Sequence, residues 1–370
     1  MNIATGILFH AVGASCAALC YTPQKKVLGW SWQTYWLAQA VVCWLLMPVI
    51  GAFFTIPHLR EVLQEAPSAA MWKSFLLGIG YGVGGTAFGI AIRYVGFSLT
   101  YAISVGISCV LGTLIPPLMR GELGAILHER GAAFVLSGIA LGALGIVLCG
   151  LAGRYKERDL AKHNQALAAG FNLSKGLPLC LLAGVLSAVY GFSLDQGQPI
   201  AEVAAKYGAG NFQGNVIYIF SNSGAFLSTF LYCLYLHNKE KTWKEYTLPA
   251  ARAFNEKDKA GLSAHTERRA AAFQQPVLTV NFLMATLTGL LWYSQFFFYG
   301  LGHTRMGAYK FSSWAIHMIM LVLFSSLAGL LLKEWSRSRP PTVRMLASAL
   351  LVLVAAVLIL TYGNYLGGAA

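Results

Sequence analysis

The chain has 370 residues, 56% hydrophobic and only 11% charged, against roughly 25% charged in an ordinary soluble domain. That balance excludes a water-soluble globular protein, because so much apolar surface needs lipid as its solvent. The formal charge of +13, from 27 Lys and Arg against 14 Asp and Glu, would suggest nucleic acid in a soluble chain; here it reads as basic loops on one face of a membrane, with no nucleic-acid partner.

In chain order, the first apolar run follows MNIATG, which lacks a basic leader region. Residues 3–20 are therefore expected to be a retained span, not a cleaved signal. Nine more runs follow, at 34–56, 72–92, 97–118, 131–151, 176–196, 213–236, 277–300, 310–332 and 343–365. About 20 apolar residues cross the hydrocarbon core as a helix. Runs this long and continuous are not barrel strands, and lipid-exposed backbone must satisfy its own hydrogen bonds. The expected fold is all-α and integral to the membrane, with ten transmembrane helices. The seven cysteines lie in apolar runs without zinc-site spacing and read as small buried hydrophobes. No metal or cofactor is expected.

Ten spans put both termini on one side. The connections after the odd-numbered spans hold twenty Lys and Arg, among them Lys25, Lys26, Arg154, Lys156, Arg268 and Arg339. The other side holds seven, including Arg120, Arg305 and Lys310. By the positive-inside rule the first set faces the cytoplasm and both termini face the periplasm.

The halves look alike. GILFHAVGASCAAL in the first span compares with GLPLCLLAGVLSAV in the sixth, AIRYVGFSLTYAI with FFYGLGHTRMGAY, and LMRGE with LLKEW. The expected organisation is one repeat over 1–152, a cytoplasmic linker over 153–175, and a second repeat over 176–370 carrying a cytoplasmic loop at 237–275. Five spans per half force the two repeats into opposite orientations, the plan of many secondary transporters. Glycines four apart in the third span (Gly78 and Gly82, Gly80 and Gly84, Gly85 and Gly89) and Gly138 with Gly142 in the fifth are read as close helix packing.

Polar side chains recur at helical spacing inside the spans. They are Tyr101, Ser104 and Ser108 in the fourth; Asn215, Tyr218, Asn222 and Thr229 in the seventh; Asn281, Thr288, Trp292, Gln295 and Tyr299 in the eighth; and Lys310, Ser313, Trp314 and His317 in the ninth. Such stripes either glue helices together or line a cavity. Amides, hydroxyls and aromatic rings dominate, which suits a neutral sugar better than an anion or a cationic drug. His10 and His317 lie about seven residues, or about 10 Å, into their spans. A His there is either a hydrogen-bonded core residue or a carrier of a coupling proton; Asp195 is a third candidate for that role. Asp195 and Lys310 stand at helix ends on the outer side, placed to form an ion pair. His303 and Arg305 belong to the turn between spans eight and nine, and Arg93 to the inner end of span three; these and Lys310 are rim or gating candidates, with snorkelling as the alternative for Arg305 and Lys310. No nucleophile–base pair stands out, so no enzyme is expected.

GILFH, YTPQKKVLGWSW, IRYVG, LWYSQFFFYGLGH, SWAIHM and LLKEW resemble the bacterial L-rhamnose–proton symporter family of the drug/metabolite transporter superfamily, over nearly the whole chain. The resemblance implies an inner-membrane carrier that imports a six-carbon deoxysugar with protons, its partners being sugar, proton and lipid bilayer. The substrate-binding candidates are Tyr101, Asn222, Trp292, Tyr293, Gln295, Tyr299 and Trp314. Departures from the family pattern at Gln33, Asp195, Lys310 and GVGGTAFG touch the expected cavity or its rim. The other reading is an exporter or exchanger of a different small metabolite or drug from the same superfamily.

Overall fold

The computed structural model describes residues 3–95, 97–161, 172–247, 264–331, 333, 335–336 and 338–368, without side chains at 92–93, 97–99, 160–161, 173, 264–276, 308–309 and 368. Ten helices are long and apolar enough to cross a membrane. They are α1 (Ile3–Leu19), α2 (Trp32–Thr55), α3 (Ser68–Val95), α4 (Phe97–Met119), α5 (Ala132–Ala161), α6 (Leu173–Gln196), α7 (Asn215–Glu240), α8 (Ala264–His303), α9 (Ser313–Leu331) and α10 (Pro340–Gly368). No strand occurs among the described residues. The chain is an all-α, multi-pass membrane protein. The seven cysteines are free, and six of them are buried.

Local chemistry explains the irregular places. In α2 the backbone widens into a π-helical turn over Val41–Leu46, just before Pro48. Proline has no N–H for the carbonyl four residues back, and such wide turns often mark functional positions. The widening aims Trp44 inward, where it is 1% exposed. Residues Gly307–Ser312 form a separate 3-10 turn ahead of α9, so Lys310 stands on that turn and not on the spanning helix.

Helix α9 is the axis of the bundle. Its residues from Ser313 to Leu323 are all buried, as expected of a helix apolar all round. The main neighbours form matched sets: α3 packs on α6 and α7 as α8 packs on α1 and α2, and α4 packs on α6 and α5 as α9 packs on α1 and α10. The pairs α5–α10, α4–α9 and α2–α7 complete the set. Close approaches depend on glycine. A Cβ at Gly78 would strike the Ser221 carbonyl of α7, and one at Gly224 would strike that of Phe75 on α3.

The end carrying the α1–α2, α7–α8 and α9–α10 connections, here the basic end, is tied by a polar network. The Glu245 carboxylate accepts hydrogen bonds from the Ser31 N–H (2.7 Å), the Ser31 hydroxyl (2.7 Å) and the Thr34 hydroxyl (2.6 Å). The Trp30 indole donates to the Glu245 carbonyl, and Gln33 donates to Glu240 and Thr242. Burial holds the Tyr246 phenol above its usual range, so it remains a donor to the Thr34 carbonyl.

Candidate functional site

Three cavities succeed one another through the bundle. The middle one, about 110 Å³, is walled by α1, α2, α3, α4, α6, α8 and α9, with Trp36, Tyr101, Trp292, Gln295, Trp314 and His317 among its lining residues. A cavity of about 200 Å³ opens at the opposite end beside Arg120, Asp195, His303 and Lys310. One of about 530 Å³ lies at the basic end beside Lys25, Lys156, Glu157 and Trp335. Tyr299 and Trp314 line both the opposite-end and the middle cavity, and Tyr21 and Tyr101 line both the middle and the basic-end one. Aromatic side chains are thus the partitions.

The partitions are held in place. The Trp314 indole donates to the Ser108 carbonyl at 3.0 Å and lies close to its hydroxyl at 3.2 Å. Its ring rests against Gly112, where a Cβ would come within 2.6 Å of Nε1. Tyr299 meets Trp314 edge-on at 5.7 Å. On the other side of the cavity, Trp292 packs against Tyr21, Trp36 and Trp44 with centroids 5.3–5.5 Å apart. These are edge contacts of the kind aromatic quadrupoles favour.

No Asp, Glu, Lys or Arg is among the residues lining the middle cavity. Its hydrogen-bonding groups are the amide of Gln295 and hydroxyls such as Ser104 and Ser187; the rest of its wall is largely aromatic and aliphatic. Flat apolar faces with a few neutral donors and acceptors suit a polyhydroxylated neutral ligand with C–H faces of its own.

Two histidines belong to this region, His317 in the wall and His10 behind it. His10 is fully enclosed, and neither ring nitrogen has a hydrogen-bond partner among the described residues. Its ring centroid is 5.4 Å from Tyr299 and 5.9 Å from His317. His317 lines the middle cavity, and its Nδ1 is likewise unpartnered. His303 stacks on Tyr299 at 5.8 Å from the opposite-end cavity. Leaving a buried polar atom unsatisfied costs about 1–3 kcal/mol, so the His10–His317 pair is expensive as packing alone. Reversible binding of a proton is what an imidazole adds.

The other sequence candidates divide by position. Tyr101, Trp292, Gln295, Tyr299 and Trp314 line the middle cavity. Asn222 lies one layer behind, accepting a hydrogen bond from the Tyr190 hydroxyl at 2.5 Å. Tyr293 is on another face of α8, against Gly51 of α2 and Tyr218 of α7. Asp195 takes Arg120, just past the end of α4, as its ion-pair partner, not Lys310; both Arg120 and Lys310 line the same cavity. Arg305 lies over the Phe9 ring and donates to the Leu301 carbonyl, away from the cavities. The side chain of Arg93 lies outside the described residues. In the α8 stripe, Asn281 bonds the backbone of Leu28 and Thr288 bonds the Cys20 carbonyl. The lower half of that stripe is helix glue, whereas Trp292, Gln295 and Tyr299 face the cavity.

Sequence reasoning passed over Trp36, Trp44 and Tyr81. The spacing of Trp32, Trp36 and Trp44 in one span was the available signal, but it does not distinguish a lipid-facing stripe from an inward one.

Residues 1–244 and 259–365 match the family model described as L-rhamnose-proton symport protein (RhaT). The L-rhamnose-proton symporter of Cronobacter sakazakii is 34% identical over 357 residues, 95% of this chain and 96% of its own. The L-rhamnose-proton symporter of Yersinia pestis, strain Pestoides F, is 32% identical over 363 residues, 98% of each chain. No solved structure matches.

Proposed function

The chain belongs to the L-rhamnose-proton symport protein family, and from that premise we propose that it imports L-rhamnose with protons across the bacterial inner membrane by alternating access. It is a transporter, not an enzyme. The observation that carries the reading is the middle cavity, free of Asp, Glu, Lys and Arg among its lining residues and bordered by His317. The sugar stacks on Trp292 and Trp314 and bonds Gln295, with Tyr101 and Tyr299 closing over it. Tyr293 and Asn222 hold the wall. His317 and His10 carry the coupling proton, and Asp195, His303 and Lys310 shape the mouth at the opposite end.

The basic end faces the cytoplasm and both termini face the periplasm, on the distribution of Lys and Arg. Two inverted five-helix repeats, 1–152 and 176–370, account for the matched helix pairings. An exporter or exchanger of a different metabolite or drug is the weaker reading, because the relatives are named as L-rhamnose-proton symporters.

The test uses the purified protein in liposomes with a pH dye outside. Added L-rhamnose is expected to make the external medium more alkaline as sugar draws protons inward. Sugar uptake with no proton movement removes the symport, and no movement of any deoxyhexose, pentose or hexose removes the sugar.

A further inference from the structure

Helix α3 holds six glycines, and four of them have a packing reason. A Cβ at Gly78 would hit the Ser221 carbonyl, and one at Gly82 would hit Ser228 and the Ala225 carbonyl. One at Gly84 would press on Leu186 at 2.7 Å, and one at Gly89 would meet the Trp32 ring at 3.2 Å. At Gly80 it would make ordinary contact with Val189 at 3.6 Å. Gly85 stands apart from the other five. A Cβ there meets nothing within 4 Å, and the residue lines the middle cavity.

This absence of neighbours is informative. Glycine within a helix is less stable than alanine, because it gives up more backbone freedom on folding. Neither a close helix approach nor a positive φ calls for glycine at position 85. A side chain added there would point into the cavity, between Tyr81 one turn earlier and Phe88 about one turn later, both of which line it too. What a larger residue would displace is the occupant.

We infer that Gly85 sets the size of sugar the middle cavity accepts, its bare backbone leaving room for one ring substituent of the bound molecule. The inference rests on the reading of this cavity as the sugar site, and it concerns the substituent that separates a deoxyhexose from a smaller sugar. One methylene more or less in an apolar pocket changes discrimination about 10–200-fold.

Binding of L-rhamnose, and of the pentopyranose of the same ring configuration that lacks its methyl group, is measured on the purified full-length protein and on Gly85→Ala. The substitution meets open space, so the variant should be at least as heat-stable as the unmodified protein. Its affinity for L-rhamnose should fall about 10-fold or more, and its affinity for the smaller sugar by clearly less. Gly80→Ala, on the same helix but outside the cavity, should leave both unchanged. Unchanged affinities in Gly85→Ala overturn the inference. So does an equal loss for both sugars, or the same loss in Gly80→Ala. Absence of sugar binding by the unmodified protein overturns the sugar-site reading as well, whereas normal binding there with a flat Gly85→Ala profile overturns only the size role.

Discussion

Two glycines decide where the two membrane histidines lie. The His10 ring sits on the α-carbon of Gly302, where a Cβ would stand 2.8 Å from Nε2. His317 approaches Gly13, where a Cβ would stand 3.2 Å from its Cε1. His10 of α1 is therefore seated by α8 and His317 of α9 by α1, with the rings 5.9 Å apart. His10→Ala and His317→Ala are each expected to uncouple or abolish proton-driven uptake, read as sugar-evoked proton movement. Gly302→Ala pushes on His10 without touching a cavity wall, and should shift the pH profile of uptake. A profile matching the unmodified protein in all three variants would assign both histidines to packing. At this scale His10, Trp292 and His317 were legible in the sequence, since a titratable group or an indole beside an amide inside an apolar run stands out. Gly85 was not, because it looks like the other five glycines of α3 until the space around it is known.

At the scale of the element, the segment after α7 does more than connect. Ser31 is the N-cap of α2, and the Glu245 carboxylate bonds the Ser31 N–H and hydroxyl and the Thr34 hydroxyl. A carboxylate at a helix N-terminus complements the helix dipole. Hydrogen bonds to a charged group contribute about 1.5–3 kcal/mol. Glu245→Ala leaves the buried Thr34 hydroxyl without that acceptor, and should destabilise the protein by about 2 kcal/mol or more. The check is thermal unfolding in detergent, with Glu245→Gln, which keeps an acceptor oxygen, losing less. An unaltered transition in Glu245→Ala would mean the network is incidental. No local signal marked Glu245, because its partners are more than 200 residues away in sequence. The span lengths were readable because lipid imposes them. The α8 stripe was only half readable, since helical spacing cannot say that Asn281 and Thr288 bond backbone while Gln295 faces a cavity.

For the whole molecule the question is which end is closed. The opposite-end cavity is the smaller of the two end cavities, and the Arg120–Asp195 pair ties α4 to α6 there. In the matched set of pairings, α4–α6 corresponds to α9–α1, whose facing surfaces include part of the larger basic-end cavity. Under the proposed alternating access, α4 and α6 would part while α9 and α1 close. Sequence reasoning put Asp195 at this end but offered Lys310 as its partner, since charge and depth cannot rank one cation over another; the packing of α4 against α6 does. Arg120 is 43% exposed, and a surface ion pair contributes only about 0.2–1 kcal/mol. That is small for stability but shifts a balanced two-state equilibrium by up to about five-fold. Asp195→Asn should therefore leave the protein folded and favour opening at this end. Thr113 lines the opposite-end cavity, and a Thr113→Cys reporter should be labelled faster from this end when Asp195 is replaced. Exchanging the pair, Arg120→Asp with Asp195→Arg, should return labelling towards its original rate, whereas exchanging Asp195 with Lys310 should not. Equal labelling in every variant would mean that the pair decorates the mouth and that closure belongs to the Tyr299–Trp314 partition beneath it.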